Sequence, residues 1–490
     1  MRLRTTTALA ALAAAGLTPF TLPSAAPASA ATAKYGDDFN GDGYRDLATT
    51  APYATAASAE QAGSVVVSYG SASGLTSAES TVISQSSTGV PGASEAGDLF
   101  GSAVATGDFN SDGYGDLAVG VSEEDTSAGS GTGEDTGAIT VLWGSSTGLS
   151  GGTALELPPV DYPNGYGSSL ASGDFNGDGR DDLAVGSSSY YGVFIYDGGT
   201  EKSSTLAWRH GFAATSLSER TAIGSLAAGD IDHDGTDDLV VGGNNNETED
   251  FFKQSVYLAP GDTTRRTYAG DVSHGDTAAV GDVDGDGYAD IVTGHEWEPR
   301  SIFAGTTLGG NVTLTYGSAD GPDTSRPPVT ITQDTAGVPG ASEADDQFGA
   351  SVTLGDITGD KYADLAVGAP QETVGTAEST GSVTVLPGGP AGLSTATSYT
   401  YHQDTTGVPG VAEGGDHFGS AVALRDTNAD GRADLAVGAS GENNYAGAMW
   451  SLKASSSSLT TTGAISFSAT TVGIPTTGVE FMPEFGTGIG

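Results

Sequence analysis

The chain has no cysteine. Disulfides are therefore excluded, and an exported domain without them needs another way to hold its loops, for which bound metal is the obvious candidate. Basic residues are scarce: 17 Lys and Arg stand against 62 Asp and Glu, a formal charge of −45. A surface of that sign repels nucleic-acid phosphates and anionic membranes, so neither is an expected partner. No run after the first thirty residues is long and apolar enough to cross a bilayer. Helical periodicity is missing from the same region. Disorder, the other outcome of high acidity, conflicts with the regular β-rich apolar runs that fill the chain.

What is present begins with a leader. Arg2 and Arg4 give a positive start, residues 8–17 are a short apolar run, and Ala28-Ser29-Ala30 is an A-x-A cleavage pattern. Residues 1–30 thus read as a secretory signal, with a secreted mature chain over 31–490. Removing both arginines takes the charge to −47.

The mature chain repeats itself. "DDFNGDGYRDLA" opens it, and the acidic part recurs as loops beginning at Asp38, Asp108, Asp174, Asp230, Asp282, Asp356 and Asp426, spaced 70, 66, 56, 52, 74 and 70 residues apart. Each loop leads into a strand such as "DLAVG", then a β-forming run ending in a Gly/Ser turn, such as 137–149 or 381–393. A Phe-Gly-like pair precedes loops two to seven: Phe100-Gly101, Tyr166-Gly167, Ile223-Gly224, His274-Gly275, Phe348-Gly349 and Phe418-Gly419. Loop one has no such lead, whereas Phe485-Gly486 near the C-terminus has no loop after it. In a ring the last strand would lie beside the first loop and satisfy both orphans; an open array would leave two sheet edges exposed. The expected fold is all-β, a seven-bladed β-propeller of four-stranded antiparallel blades, closed by the C-terminal strand beside the N-terminal repeat.

The loops are built for a hard cation. Side-chain oxygens at positions 1, 3 and 5 point into one concavity, position 7 offers its carbonyl, and the aspartate at position 9 closes the shell. Copy one supplies Asp38, Asn40, Asp42, Tyr44 and Asp46; copy two Asp108, Asn110, Asp112, Tyr114 and Asp116; copy three Asp174, Asn176, Asp178, Arg180 and Asp182. Copy four supplies Asp230, Asp232, Asp234, Thr236 and Asp238; copy five Asp282, Asp284, Asp286, Tyr288 and Asp290. Copy six has Asp356, Thr358, Asp360, Tyr362 and Asp364; copy seven Asp426, Asn428, Asp430, Arg432 and Asp434. An all-oxygen set of about six to eight ligands suits Ca2+. Copy six is the weak member, because Thr358 replaces Asn or Asp and Lys361 replaces the position-6 glycine. Up to seven Ca2+ are therefore expected, in a structural role.

The Phe-Gly lead, the D-x-D/N-x-D-G-x-x-D-L loop and Gly368-Ala369-Pro370 after the next strand resemble FG-GAP repeats. Thr50-Ala51-Pro52 is a degenerate copy of the last element. These repeats build the seven-bladed propeller of integrin α chains and of many bacterial exported proteins. The resemblance implies the same Ca2+ positions and an integrin-like adhesion or ligand-recognition module. Integrin signalling is not expected to transfer, since nothing resembling further integrin domains is read after the propeller.

In an up-and-down blade the acidic loops and the Gly/Ser turns share one face. The longer connections (122–135, 208–220, 244–252 and 295–300) go to the other. Trp208, His210, His295, Glu296, Trp297 and Arg300 fall there, where exposed aromatics would suit an extracellular glycan or protein ligand; packing of Trp208 and Trp297 between blades is the favoured alternative. The near-verbatim segments 88–101, 336–349 and 406–419, with Glu95, Glu343, Glu413, Asp98, Asp346 and Asp416, read as blade-to-blade braces. No catalytic residue is assigned: "GSSTG" at 144–148 lies at a hairpin turn, which disfavours Ser146 as a nucleophile. The rival reading is an extracellular enzyme, a polysaccharide lyase or an ester or phosphodiester hydrolase, with His295 and Arg300 as its candidate base and cation. A purely structural surface protein is the third. A monomer is expected.

Overall fold

The computed structural model describes residues 33–125, 135–158, 164–188, 190–199, 207–213, 222–244, 252–297, 307–476 and 484–490. Residues 1–30, read above as a secretory signal, lie outside them, as do most of the long connections. Among the described residues seven antiparallel blade sheets follow one another, with a two-stranded hairpin, Gly317–Ser318 and Gly321–Pro322, inside the fifth. Blade two is representative: Phe100–Gly107, Asp116–Val121, Ala138–Trp143 and Ser150–Ala154 pair in sequence order. Blades three to seven repeat that meander, ending with Phe418–Arg425, Asp434–Ala439, Ala448–Ala454 and Leu459–Ser468. Blade one has three strands of its own, Leu47–Ala51, Ser64–Ser68 and Ser80–Ile83. The C-terminal residues lie along the first of these. Thr49 bridges Ile489 antiparallel, Thr50 N–H donates to the Gly488 carbonyl (2.9 Å), and Gly490 N–H donates to Ala48 (2.9 Å).

Burial explains the strand composition. The second strands, such as Asp116–Val121 and Asp364–Ala369, are buried at every residue, so they carry short apolar side chains rather than an alternating pattern. Their glycine answers a close approach by the next blade. A Cβ on Gly368 would sit 2.0 Å from the Gly419 carbonyl oxygen, and one on Gly438 would sit 2.0 Å from that of Gly486. The facing glycine belongs to the Phe-Gly pair and is left-handed, with φ of 94° at Gly419 and 97° at Gly486. The aromatic before it bridges the glycine that starts the previous blade's third strand. Gly63 pairs with Phe100, Gly137 with Tyr166, Gly310 with Phe348, Gly381 with Phe418, and Gly447 with Phe485. Phe485 is thus bound to blade seven as Phe418 is to blade six, and both are fully buried.

Among the described residues seven apolar clusters fill the spaces between blades. One joins Leu47 and Val66 of blade one to Met449 and Phe467 of blade seven, with Phe485 between them. Around the axis the first strands enclose a cavity of about 390 Å3, lined by Val104, Leu170, Leu226, Ala278, Val352, Val422 and Ile489 among others. Copies four and five lack the aromatic lead, and Gly224 and Gly275 have no positive φ. Their first strands, Ala222–Gly229 and Thr277–Gly281, still pair into their sheets.

Candidate functional site

The seven acidic loops share one construction. The position-1 carboxylate turns back on its own loop. Asp38 accepts the N–H groups of Asp42 (3.1 Å) and Gly43 (2.9 Å), and Asp426 accepts those of Asp430 (3.0 Å) and Gly431 (2.9 Å). Position 6 must be left-handed to reach it, with φ between 81° and 94° at its six glycines. Lys361 holds the same geometry in loop six, at φ 78°, and its N–H donates to Asp356 (2.8 Å) as the glycines do. The replacement that weakens copy six therefore leaves the loop's shape intact and places its cost in the lysine backbone.

Position 9 ties the loop to the hairpin turn of its own blade. Asp46 Oδ1 accepts the Gly70 N–H (2.8 Å) and Oδ2 accepts the Phe39 N–H (2.8 Å). Asp290 does the same with Gly317 and Val283, both 2.9 Å, and Asp364 with Gly388 and Ile357, both 2.8 Å. Asp116, Asp182 and Asp434 take the turn N–H of Gly144, Gly198 and Ala454. Burial, opposed by these bonds and aided by neighbouring aspartates, pushes the carboxyls up. Asp46 and Asp182 rise to about 8, Asp238 and Asp290 to about 7, and Asp364 to about 6.

A hard cation would find oxygen ligands that the protein leaves unspent. Asp230, Asp232 and Asp238 each bring a carboxylate oxygen within 4.8 Å of the others, as do Asp282, Asp284 and Asp290. These are positions 1, 3 and 9; Asp234 and Asp286 at position 5 are not members of either group. Asp234 Oδ1 and Asp286 Oδ1 instead accept the N–H of position 7, at 2.9 and 3.0 Å. The position-3 oxygens Asn110 Oδ1, Asp284 Oδ1 and Thr358 Oγ1 are buried with no hydrogen-bond partner. Such orphaned acceptors are costly unless something fills the concavity they face. Thr358 belongs to the loop with the weakest sequence, and it offers the same free oxygen. The residue set, carboxylate, amide and hydroxyl oxygen throughout, fits Ca2+.

Sequence reasoning missed several features. Position 4 is also left-handed, at Gly41, Ser111, Gly177, His233, Gly285, Gly359 and Ala429, and four glycines in seven copies were the available signal. Position-7 side chains reach the preceding loop. A Cβ on Gly41 would meet the Tyr114 ring at 2.6 Å, and one on Gly285 would meet Tyr362 at 2.5 Å. Asp181 and Asp237, at position 8, accept the N–H of Asp108 and Asp174 one blade back, at 2.7 and 2.9 Å. Two arginines far off in sequence enter the loops. Arg265 pairs with Asp234 at 3.0 Å, and Arg326 with Asp284 at 2.8 Å while lying 3.1 Å over the Tyr316 ring.

On the opposite face the structure brings fewer of the expected residues together. Arg300 and the side chains of Trp208 and His210 lie outside the described residues. His295 is buried at the end of its strand, with Nδ1 3.2 Å from Asp276 Oδ2. Burial, then the Asp276 charge, pushes the neighbouring Glu296 up to about 7. Trp297 is partly buried. Trp143 and Trp450 are core side chains, and their Nε1–H groups donate to Thr153 Oγ1 (3.0 Å) and the Pro409 carbonyl (2.8 Å). Ser146 lies in the expected hairpin turn, which Ser145 ties to the Gly148 carbonyl. The repeated segments run between blades. Asp98, Asp346 and Asp416 each take the N–H of Glu95, Glu343 or Glu413 at 2.6–2.7 Å. Their own carbonyls accept from Glu123, Gln371 and Gly441 of the following blade. One further feature carried no sequence signal: Asn443, Asn444 and Tyr445 are consecutive left-handed residues, and they project a half-exposed Tyr445 beside His417.

Models of known families agree with this construction. The FG-GAP repeat matches residues 36–68, 100–142, 274–313, 348–386 and 418–452, and the FG-GAP-like repeat matches 174–241. The chain belongs to the FG-GAP repeat family and is an integrin-like β-propeller. Phosphatidylinositol-glycan-specific phospholipase D of Bos taurus is 34% identical over 192 residues, covering 39% of this chain and 21% of that protein. Integrin alpha-PS5 of Drosophila melanogaster is 32% identical over 168 residues, covering 33% and 15%, and integrin alpha-5 of Xenopus laevis is 30% identical over 223, covering 42% and 20%. The matched part is thus about a fifth of these relatives' length. No helix among the described residues is long and apolar enough to cross a membrane.

Proposed function

We propose that this propeller is an exported calcium-binding module that recognises an extracellular ligand, in the manner of an adhesion protein, with Ca2+ in a structural role. The observation that carries the calcium reading is the position-3 oxygen left buried and without a hydrogen bond in three loops, at Asn110, Asp284 and Thr358. Positions 1, 3 and 9 of each loop would hold the ion, joined by position 5 and the position-7 carbonyl as the shell tightens. The bound charge would offset the carboxylate repulsion that burial intensifies. Extracellular sites of this kind bind at about 10⁻⁴–10⁻³ M, and each filled site adds roughly 1.4 kcal/mol at tenfold excess over its dissociation constant. Several together rival the stability of a whole domain.

Recognition is assigned to the face opposite the loops, where the connections vary, with a glycan or a protein as ligand and a single copy of the chain as the binding unit. Integrin α chains and a phospholipase D of glycosylated phosphatidylinositol carry similar repeats, which supports an extracellular setting and leaves the enzyme reading as the rival. Probing glycan and matrix-protein arrays with calcium-loaded protein tests the choice. Saturable binding without turnover supports recognition; product formation that survives stringent purification supports the enzyme.

A further inference from the structure

On the face opposite the acidic loops, three blade junctions carry the same side-chain pair. Gln85 Nε2 donates to Glu124 Oε2 (2.6 Å), Gln333 Nε2 to Glu372 Oε2, and Gln403 Nε2 to Glu442 Oε2 (2.6 Å). Each pair spans 39 residues, from the end of one blade's outer strand to the connection after the next blade's second strand. The three glutamines are buried, and a left-handed glycine lies beside each amide, at Gly92, Gly340 and Gly410. A Cβ on Gly92 would sit 2.7 Å from Gln85 Nε2. The other end of the amide is unanswered in all three pairs: Gln85 Oε1, Gln333 Oε1 and Gln403 Oε1 are buried with no hydrogen-bond partner. The same orphaned acceptor at three junctions marks a missing donor rather than a local accident.

An ionised glutamate has acceptors only, so it takes the amide N–H and offers the amide oxygen nothing. A neutral carboxyl adds one O–H donor, and acid and amide then join through two bonds at once, N–H to carboxyl oxygen and O–H to amide oxygen. We propose that the three pairs are proton-operated clamps: each glutamate, as the neutral acid, donates its O–H to the oxygen of its partner amide, and loss of that proton loosens the junction it spans. The surroundings favour the neutral form. Burial, opposed by the Gln333 bond and aided by the charges of Asp346 and Glu343, pushes Glu372 up to about 7. Burial also raises Glu124, against the Gln85 bond and with Asp98, Glu95 and Asp125 adding to it. Burial and then Asp416 raise Glu442, against the Gln403 bond and with Glu413 adding to it. His402 lines the same cavity as Gln333 and Glu372, and His417 Nδ1 lies against Gly441. Burial lowers the pKa of both rings, so neither brings a charge near pH 7. Glu442 Oε1 also accepts from Asn443 (3.1 Å), which favours its carboxylate, so Glu372 is the stronger clamp. The folded Glu372 lies above its ordinary value near 4.5, so the clamp's contribution is full below about that pH and is lost as pH rises through about 7. Acidification thus closes the junctions between the varied connections.

The test follows calcium-saturated protein by NMR between about pH 5 and 9. The ¹³C carboxyl shift of Glu372 should titrate near 7 rather than near 4.5. The Gln371 N–H bonds the Asp346 carbonyl across the same junction (3.2 Å), and its protection from hydrogen exchange should fall by about tenfold between pH 6 and 8. Glu372→Gln supplies an amide that keeps both bonds at every pH. At pH 8 it should match or exceed wild-type protection at Gln371, with the pH dependence gone. Glu442→Gln, one junction on, should leave the Gln371 profile as it is in the wild type. Titration of Glu372 near 4.5 overturns the proposal. So does a Glu372→Gln variant less protected than wild type at pH 8, since only a brace that needs the carboxylate charge loses by that change. If the variant fails to fold, the carboxyl titration of the wild-type protein decides alone.

Discussion

The two faces of the wheel are made by opposite rules. On one, seven loops of nearly the same sequence take nearly the same backbone path, and position 9 performs the same task each time. On the other, three junctions share a brace built around Asp98, Asp346 and Asp416, while the remaining connections differ in length and composition. Repetition marks what every blade needs in order to stand. Variation marks what a single site needs in order to be selective. Substitutions on the loop face should therefore register as lost stability, and those opposite as lost binding.

The largest effect expected on the loop face comes from position 9. Asp46→Ala strips the acceptor from two buried N–H groups, at roughly 1–3 kcal/mol each. Urea unfolding should show a loss of about 2–6 kcal/mol even without Ca2+. A loss that vanishes in metal-free protein would make Asp46 a ligand and nothing more.

Next in size is a pH effect that separates proton from cation. In metal-free protein the folded carboxyls of Asp46, Asp182, Asp238, Asp290 and Asp364 lie above their ordinary value near 3.8, at about 6 to 8. The folded state holds those protons more tightly than the unfolded chain. Their stabilisation is full below about pH 4 and is lost as pH rises through 6 to 8. The urea midpoint of metal-stripped protein should fall over that window, and the increment restored by Ca2+ should grow with pH. An increment independent of pH would mean that the ion binds elsewhere.

Smaller still is Lys361→Gly. A left-handed non-glycine residue costs about 1–2 kcal/mol, so the change should stabilise the calcium-free protein by about 1 kcal/mol. It should also remove an ammonium from the rim of loop six and tighten Ca2+ there. At the opposite extreme Tyr445→Ala, on the varied face, should move stability by no more than about 0.5 kcal/mol. A large loss there would turn the exposed tyrosine from a candidate contact into a structural one.

Much of the wheel was legible because periodicity survives divergence. Seven loops, seven following strands and an orphaned Phe485-Gly486 set blade number and strand order before any coordinate. The reason for the Phe-Gly pair was not legible, because it lies between blades: the left-handed glycine meets the Gly of the neighbour's "DLAVG" strand, 47 to 55 residues away in the pairs Gly120–Gly167, Gly294–Gly349, Gly368–Gly419 and Gly438–Gly486. Position 8 escaped for the same reason, since Asp181 and Asp237 serve the preceding loop rather than their own. Arg265 and Arg326 carry no motif, and only folding brings them onto Asp234 and Asp284.

Thermal unfolding of metal-stripped protein, followed by calorimetry as Ca2+ is added back, tests the central claim most directly. The account predicts a midpoint that climbs with free Ca2+ across the 10⁻⁴–10⁻³ M range and falls again with chelator. A midpoint that is the same in excess Ca2+ and in EDTA would contradict it.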